Sequence, residues 1–284
     1  MGGQQRIQHS ARERPHQGFS AGRNPCKQAL MNQRVLFDAK AVSAHRRRAI
    51  ARVDRLRPVL DDLAARLLDR LDDSAVRFTR ALDIGGRGAV APLLAARAID
   101  VTEADLATPV GADVVIDAEA IPFAAHSFDL IVAHCSLHWV NDLPGTLVQL
   151  RRILRPGGLF LASLPLVGTL AELRTALLEA DAALSGGAPP RIAPFPDLAD
   201  CAGLLQRAGF ALPVAERDMI RFEYRDRLGL LRDLQDAGET NALLARPRSV
   251  PPRALFPQAL ASLAPADAPA MITLQLGVLT GWAS

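Results

Sequence analysis

Ala81-Leu82-Asp83-Ile84-Gly85-Gly86-Arg87-Gly88 is an apolar run that ends in an acid and passes directly into glycines. Glycine has no Cβ and accepts positive φ, so such a loop lets a nucleotide-like ligand approach the backbone, and the next helix offers unpaired N–H groups. The stretch predicts a strand, a cofactor loop and a helix, in that order. Its spacing is short: the first two glycines are adjacent, where the usual form sets three glycines alternately behind the acid.

Outward from this loop, short apolar runs alternate with helical patterns. Strands are predicted over 81–84, 98–101, 113–116, 128–134 and 159–164, and helices after Gly88 and over 143–154, with a turn at Pro156-Gly157-Gly158. That alternation signals a parallel sheet with crossover helices. Upstream, 34–57 and 58–73 read as amphipathic helices, with Pro58 at a helix start and Leu60, Leu63, Leu67, Leu68 and Leu71 at core spacing. Downstream, helices are predicted over 170–184, 198–208 and 227–237, and strands over 214–224 and 271–280. Four regions are expected: an extension over 1–30 upstream of a natural start at Met31, a helical cap over 31–76, a cofactor-binding core over 77–165, and a C-terminal half over 166–284 carrying substrate-facing helices.

Composition narrows the class. With 284 residues, 49% of them apolar, the chain can bury a full α/β core. Three widely spaced cysteines without a Cys-x-x-Cys pair argue against a disulfide framework or a zinc site and point to a reducing compartment. The richest apolar run, 159–167, is broken by Ser163 and Pro165, so no membrane span is predicted. A net charge of +3, with acids between the arginines, reads as a solvated surface and not a nucleic-acid groove. Residues 1–30 are basic but lack a bulky apolar face, which favours a disordered extension over a mitochondrial presequence.

In an open α/β sheet the ligand lies beyond the carboxyl ends of the strands. The first strand end gives Asp83 with Gly85, Gly86 and Gly88. The second gives Asp100, whose carboxylate suits ribose hydroxyls. The third gives Asp117-Ala118, suited to an exocyclic amine, and the fourth gives His134-Cys135-Ser136 followed by His138-Trp139. A lone strand-end acid is usually a solvated cap. The series, followed by Pro-Gly-Gly, is what points to a cofactor.

These residues resemble the class I S-adenosylmethionine-dependent methyltransferases. Within them the chain is similar to the complex I assembly factor 5 (arginine hydroxylase) family, a relative of the malonyl-acyl-carrier-protein O-methyltransferase of biotin synthesis. The likeness runs from Leu36-Phe37-Asp38 to Gly281-Trp282 and includes Phe128-Asp129-Leu130-Ile131, Leu154-Arg155-Pro156-Gly157-Gly158 and the run from Ser136 to Pro144. Three stretches outside the generic core select the assembly-factor branch: 168–174, 190–195 and 233–241. The resemblance implies a Rossmann-like seven-stranded, mostly parallel sheet with an antiparallel last strand. It also implies S-adenosylmethionine along the strand ends, with Gly85, Gly86 and Gly88 at the methionine part, Asp100 at the ribose, Asp117 at the adenine, and the backbone near His134 and Cys135 as the floor.

The function implied is modification of a protein, a complex I subunit, by methylation or arginine hydroxylation. Methyl transfer needs an aligned sulfonium and nucleophile and no strong base. Hydroxylation needs an oxidant, and the only candidates for an iron site are His134, His138 and Asp142, whose spacing is no recognised ligand motif, so no metal is expected. His138 and Trp139 either shape the substrate mouth or pack. Arg191 is either a docking residue for the protein substrate or a surface arginine, and Glu239 and Asn241 either face a basic side chain or cap a helix. Two alternatives stay open: an assembly chaperone with a degenerate cofactor site, favoured by the short loop and the 17-residue step from Asp83 to Asp100, and the malonyl-acyl-carrier-protein enzyme. The expected compartment is the bacterial cytoplasm or, alternatively, the mitochondrial matrix.

Overall fold

The computed structural model describes residues 35–72, 74–105, 113–117 and 119–284, together with the backbone of Ile7 and Gln8. The expected extension over 1–30 otherwise lies outside the described residues, as does Ala118.

The loop strand forms as Arg80–Ile84 (β2), after the two-residue Ile7–Gln8 (β1). The other strands are Asp100–Asp105 (β3), Val114–Val115 (β4), Phe128–His134 (β5), Leu154–Pro165 (β6), Phe210–Tyr224 (β7) and Ala270–Ala283 (β8). They stand in the order β1-β7-β8-β6-β5-β2-β3-β4. From β4 through β6 every pairing is parallel, while β8 runs antiparallel to both β6 and β7. The seven-stranded Rossmann-like sheet with an antiparallel last strand is therefore present, with β1 added beside β7. Pro156-Gly157-Gly158 forms a bulge inside β6, where pairing jumps from Phe128–Leu154 to Leu130–Leu159. Gly157 takes φ +77°, which glycine accepts without strain.

The predicted upstream helix over 34–57 is broken. Ala39–Ala49 (α1) is capped by Asp38, which accepts from the Ala41 N–H, and Val53–Leu56 is a 3₁₀ turn leading into Arg57–Asp72 (α2). No glycine or proline marks the break, so nothing local signals it. The leucines at core spacing in α2 are all buried and pack with Ala91–Ala95 (α3) on one face of the sheet. Each such side chain contributes about 1.5–3 kcal/mol by leaving water. On the opposite face Leu143–Ile153 (α4) and Leu198–Arg207 (α6) cover Leu82, Ile84, Ile131 and Phe160. Ala171–Ser185 (α5), Arg227–Asp236 (α7) and Leu255–Ser262 (α8) form a third cluster against β8 through Leu173, Leu177, Leu230, Leu255 and Ile272. Among the described residues, no helix is long and apolar enough to cross a membrane.

Candidate functional site

β3 starts two residues and ends four residues later than its apolar run suggests, and the later end moves the acids. Arg80 pairs with Asp100 and Asp83 with Glu103, so Asp100 opens the strand at the amino end of the sheet instead of closing it at the ligand end. The residues brought beside the glycine loop are Glu103 and Asp105. Asp105 lies about 20 residues beyond Asp83, the separation usual for a ribose-binding acid. The run Asp100-Val101-Thr102-Glu103-Ala104-Asp105 has apolar residues only at 101 and 104, so no alternation signals the strand beyond Val101, and its extent is set by pairing with β2.

A cleft of about 320 Å³ opens here, lined by Asp83, Gly86, Arg87, Gly88, Glu103, Ala104 and Asp105 from the glycine loop and the neighbouring strand end and by Arg46, Val53 and Arg57 from the upstream helices. Gly85 is not part of its wall. It takes φ +71°, donates its N–H to the Ala104 carbonyl at 2.8 Å, and faces Ser136, whose Cβ would lie 2.6 Å from a Cβ at Gly85. Gly86 and Gly88 both line the cleft, although the loop is short. Arg87, between them, holds the left-handed conformation at φ +53°, and its carbonyl accepts from Arg57 Nη1 at 2.8 Å. Asp117 lies past β4, exposed and away from the described cleft wall, where its carboxylate accepts from the Glu119 N–H.

Asp83 is buried, and neither carboxylate oxygen has a hydrogen-bond partner within the protein. Burial, then the neighbouring charges of Glu103 and Asp105, push its pKa well above the ordinary value, with the Gly86 amide and Arg87 offsetting only part of the effect. Burial and Asp113 likewise raise Glu103.

Behind the cleft lies an apolar chamber of about 710 Å³, walled by α2, α5, α7, β7 and β8. Arg87 borders both cavities. At this joint Glu239 is the hub. One of its oxygens accepts from His138 Nε2 at 2.8 Å and Trp139 Nε1 at 2.7 Å; the other faces Arg87 Nη1 at 3.1 Å and Arg46 Nη2 at 3.3 Å. Both arginines also donate to the Cys135 carbonyl. Burial alone would raise the pKa of Glu239, but His138, Arg46 and Arg87 outweigh it and hold the carboxyl below its usual range. Burial lowers His138 despite the pull of Glu239.

The other predicted residues divide. Asn241 ties two loops, donating to the Pro190 carbonyl and accepting from the Leu243 N–H. Arg191 is no free surface arginine: it forms a two-pronged ion pair with buried Asp181, one contact at 2.7 Å, while lining the chamber. Asp142 caps α4 through the Gly145 N–H. His134 lies beneath the site and bonds Ser163 Oγ through Nδ1 at 2.9 Å. Among the described residues no three His, Cys, Asp or Glu side chains converge to hold a metal. Cys135 and Cys201 are free thiols.

Burial pushes His134 down to about 3 from an ordinary 6.5, so the folded protein keeps it neutral. As pH falls through that interval the unfolded chain takes up a proton that the folded one refuses, and stability is lost. Asp83 acts in the opposite sense, since its raised pKa removes stability as pH rises above 3.8. We expect His134→Asn, which keeps an acceptor or donor for Ser163, to lose less stability on acidification than the parent. Urea midpoints measured across that range with identical slopes in both proteins would refute the assignment.

A methyltransferase-domain family model matches residues 82–162. The chain is 35% identical over 240 residues to the human arginine-hydroxylase NDUFAF5, mitochondrial, spanning 78% of this chain and 69% of that protein. The zebrafish protein of the same name (Danio rerio) is 32% identical over 240 residues, covering 78% and 74%. The chain belongs to the class I S-adenosylmethionine-dependent methyltransferase superfamily. The malonyl-[acyl-carrier protein] O-methyltransferase of Xylella fastidiosa (strain M23) is another member, 34% identical over 238 residues, with 78% and 79% covered. The YcgJ protein of Bacillus subtilis shares the fold at a TM-score of 0.53 and 15% identity, over 76% of this chain and 97% of that one. Relatives in both sequence groups are named as enzymes.

The cofactor of this superfamily suits the cleft. Its amino-acid end carries an ammonium, a carboxylate and an adjoining sulfonium, and the cleft is lined by groups of both signs, the acids Asp83, Glu103 and Asp105 and the bases Arg46, Arg57 and Arg87. The partnerless Asp83 carboxylate fits a cationic ligand, and the bare Gly86 provides the cradle, since a Cβ there would lie 2.1 Å from Asp83 Oδ2.

Proposed function

We propose that this protein binds S-adenosylmethionine in the glycine-loop cleft and modifies a side chain of a respiratory complex I subunit, by methylation or arginine hydroxylation, in the bacterial cytoplasm or mitochondrial matrix. One observation carries the reading. The three stretches that resemble the assembly-factor branch, 168–174, 190–195 and 233–241, are remote in sequence yet wall the same chamber through Thr169, Leu173, Arg191, Phe195, Leu234 and Glu239. All three lie outside the methyltransferase-domain match. When bound, S-adenosylmethionine would supply an electrophilic methyl group, and Arg87, which lines both cavities, would be among the residues holding it. His138 lines the chamber with Nε2 against Glu239 and with Nδ1 lacking a partner. A neutral ring donating from Nε2 keeps a lone pair on Nδ1, which is where a proton from the substrate would go. Trp139 holds the same carboxylate and so fixes that orientation.

A deletion strain tests the function: the intact protein restores complex I assembly, and mass spectrometry of the purified complex shows a methyl or hydroxyl group on one subunit. Restored assembly with every subunit unmodified would instead support the chaperone alternative. The similarity to the Xylella fastidiosa enzyme favours a second reading, malonyl-acyl-carrier-protein O-methylation, which growth without biotin in a strain lacking that step would reveal. The cofactor site has its own prediction. Asp105→Ala weakens S-adenosylhomocysteine binding about tenfold, the worth of one good charged hydrogen bond, and Asp100→Ala leaves it unchanged; the reverse order in calorimetry would sink the β3 placement.

A further inference from the structure

The chamber of about 710 Å³ lies in the range of about 300–1,000 Å³ that takes a drug-sized ligand, and one amino-acid side chain reaching the joint at Glu239 leaves most of it unfilled. Beyond that joint its wall is the third apolar cluster, with Leu173 and Leu177 of α5, Leu230 of α7, Tyr224 of β7 and Ile272 of β8. Thr273, a polar residue on that wall, is spent on Glu172, to which its hydroxyl donates at 2.6 Å. Leu228 of α7 and Phe256 of α8 line the same space yet are 51% and 36% exposed, so they mark its mouth. Large apolar side chains held in water at the lip of an apolar cavity are what an apolar ligand covers.

The polar partners on offer decide the kind of ligand. Among the described residues, the buried polar atoms of the lining that lack a partner belong to His45, Arg87 and His138, which gather round Glu239 and Thr240. None belongs to the lining residues of α5, α7, α8, β7 or β8. A polypeptide laid there would bring a backbone N–H and C=O at every residue with little to receive them, whereas a hydrocarbon brings no polar group to satisfy. We propose that the chamber, between its mouth and the joint, binds a long apolar chain of fatty or prenyl type, with the polar end of that molecule at the lip formed by Leu228 and Phe256. This goes beyond the protein-modification reading and does not rest on it: the modified side chain needs only the joint, and the chain fills the apolar remainder.

Calorimetric titration of the parent protein with hexanol, octanol and decanol tests this. Affinity rises about fourfold per added methylene, the worth of one buried CH₂, and decanol saturates at a single site. Because the polar end stays at the lip, decanol, decanoate and decyltrimethylammonium bind alike to the parent. Leu228→Asp, at an exposed position, then weakens decanoate at least about fivefold relative to decyltrimethylammonium, the effect of one like charge nearby. Leu231→Trp builds a ring into the chamber from a half-buried position on α7 and weakens decanol about tenfold or more; if its melting curve shows an unfolded protein, the Leu228→Asp comparison decides. Affinity that does not rise with chain length, uptake that never saturates, or a Leu228→Asp protein that holds all three head groups equally overturns the proposal. Binding of decanoate alone overturns it in favour of an anion held by Arg87, and binding of acetyl-Leu-Phe-Leu-Phe-amide where the alcohols fail overturns it in favour of a polypeptide occupant. These titrations read neither cofactor binding nor complex I assembly, so their failure leaves the protein-modification reading standing.

Discussion

Glu239→Ala is expected to cost about 3–5 kcal/mol of stability, the usual effect of stripping one partner from a buried ion pair, and to lower the melting temperature on the order of 10 °C. The effect exceeds that of a lost surface salt bridge because Glu239 serves four donors from three parts of the chain. Without it Arg46 and Arg87 stay buried with no carboxylate between them, and His138 Nε2 and Trp139 Nε1 lose their acceptor. Two further variants separate charge from hydrogen bonding. Glu239→Gln keeps an acceptor for Trp139 but not the charge, and should fall between parent and alanine variant. Arg46→Met in the Glu239→Ala background removes an unpaired cation and should recover part of the loss, since replacing a buried pair by apolar groups is often neutral. Calorimetric melting within 2 °C of the parent, roughly the shift of a sub-kcal/mol change, would show that the cluster is not a stability centre.

The second large effect is on ligand binding. Gly86→Val should weaken S-adenosylhomocysteine binding roughly 30- to 100-fold, the equivalent of about 2–3 kcal/mol of steric displacement. Even the first carbon of the new side chain would lie 2.1 Å from Asp83 Oδ2 and 2.4 Å from Oδ1. Asp83 is a short side chain near the end of a central strand and has nowhere to retreat. The clash is therefore relieved only by displacing the carboxylate or the loop, both of which line the cleft proposed for the cofactor. Gly86 does not depend on a positive φ, so backbone strain does not confuse the outcome, unlike at Gly85 or Gly88. Calorimetry of the variant beside its melting curve decides the point: unchanged affinity in a folded protein would place the cofactor away from this loop.

The amino-acid sequence by itself determined the α/β class, the glycine loop behind Asp83, most helices to within a few residues, and the family, because these are local. Periodicity, turn residues and contiguous motifs are written along the chain. It could not place Asp100: a strand boundary is set by pairing with β2, and a carboxyl end four residues later than expected put Glu103 and Asp105 at the ligand end. Nor could it separate Arg46 from the exposed Arg47 and Arg48 beside it, since a run of three arginines on a helix looks the same whichever one turns inward. Arg87 drew no reading of its own, and Glu239 read either as a partner for a basic side chain or as a helix cap. Only the tertiary structure joined α1, the glycine loop, His138-Trp139 and Glu239 into one buried charge cluster, because a long-range ion pair leaves no periodic trace in the sequence that builds it.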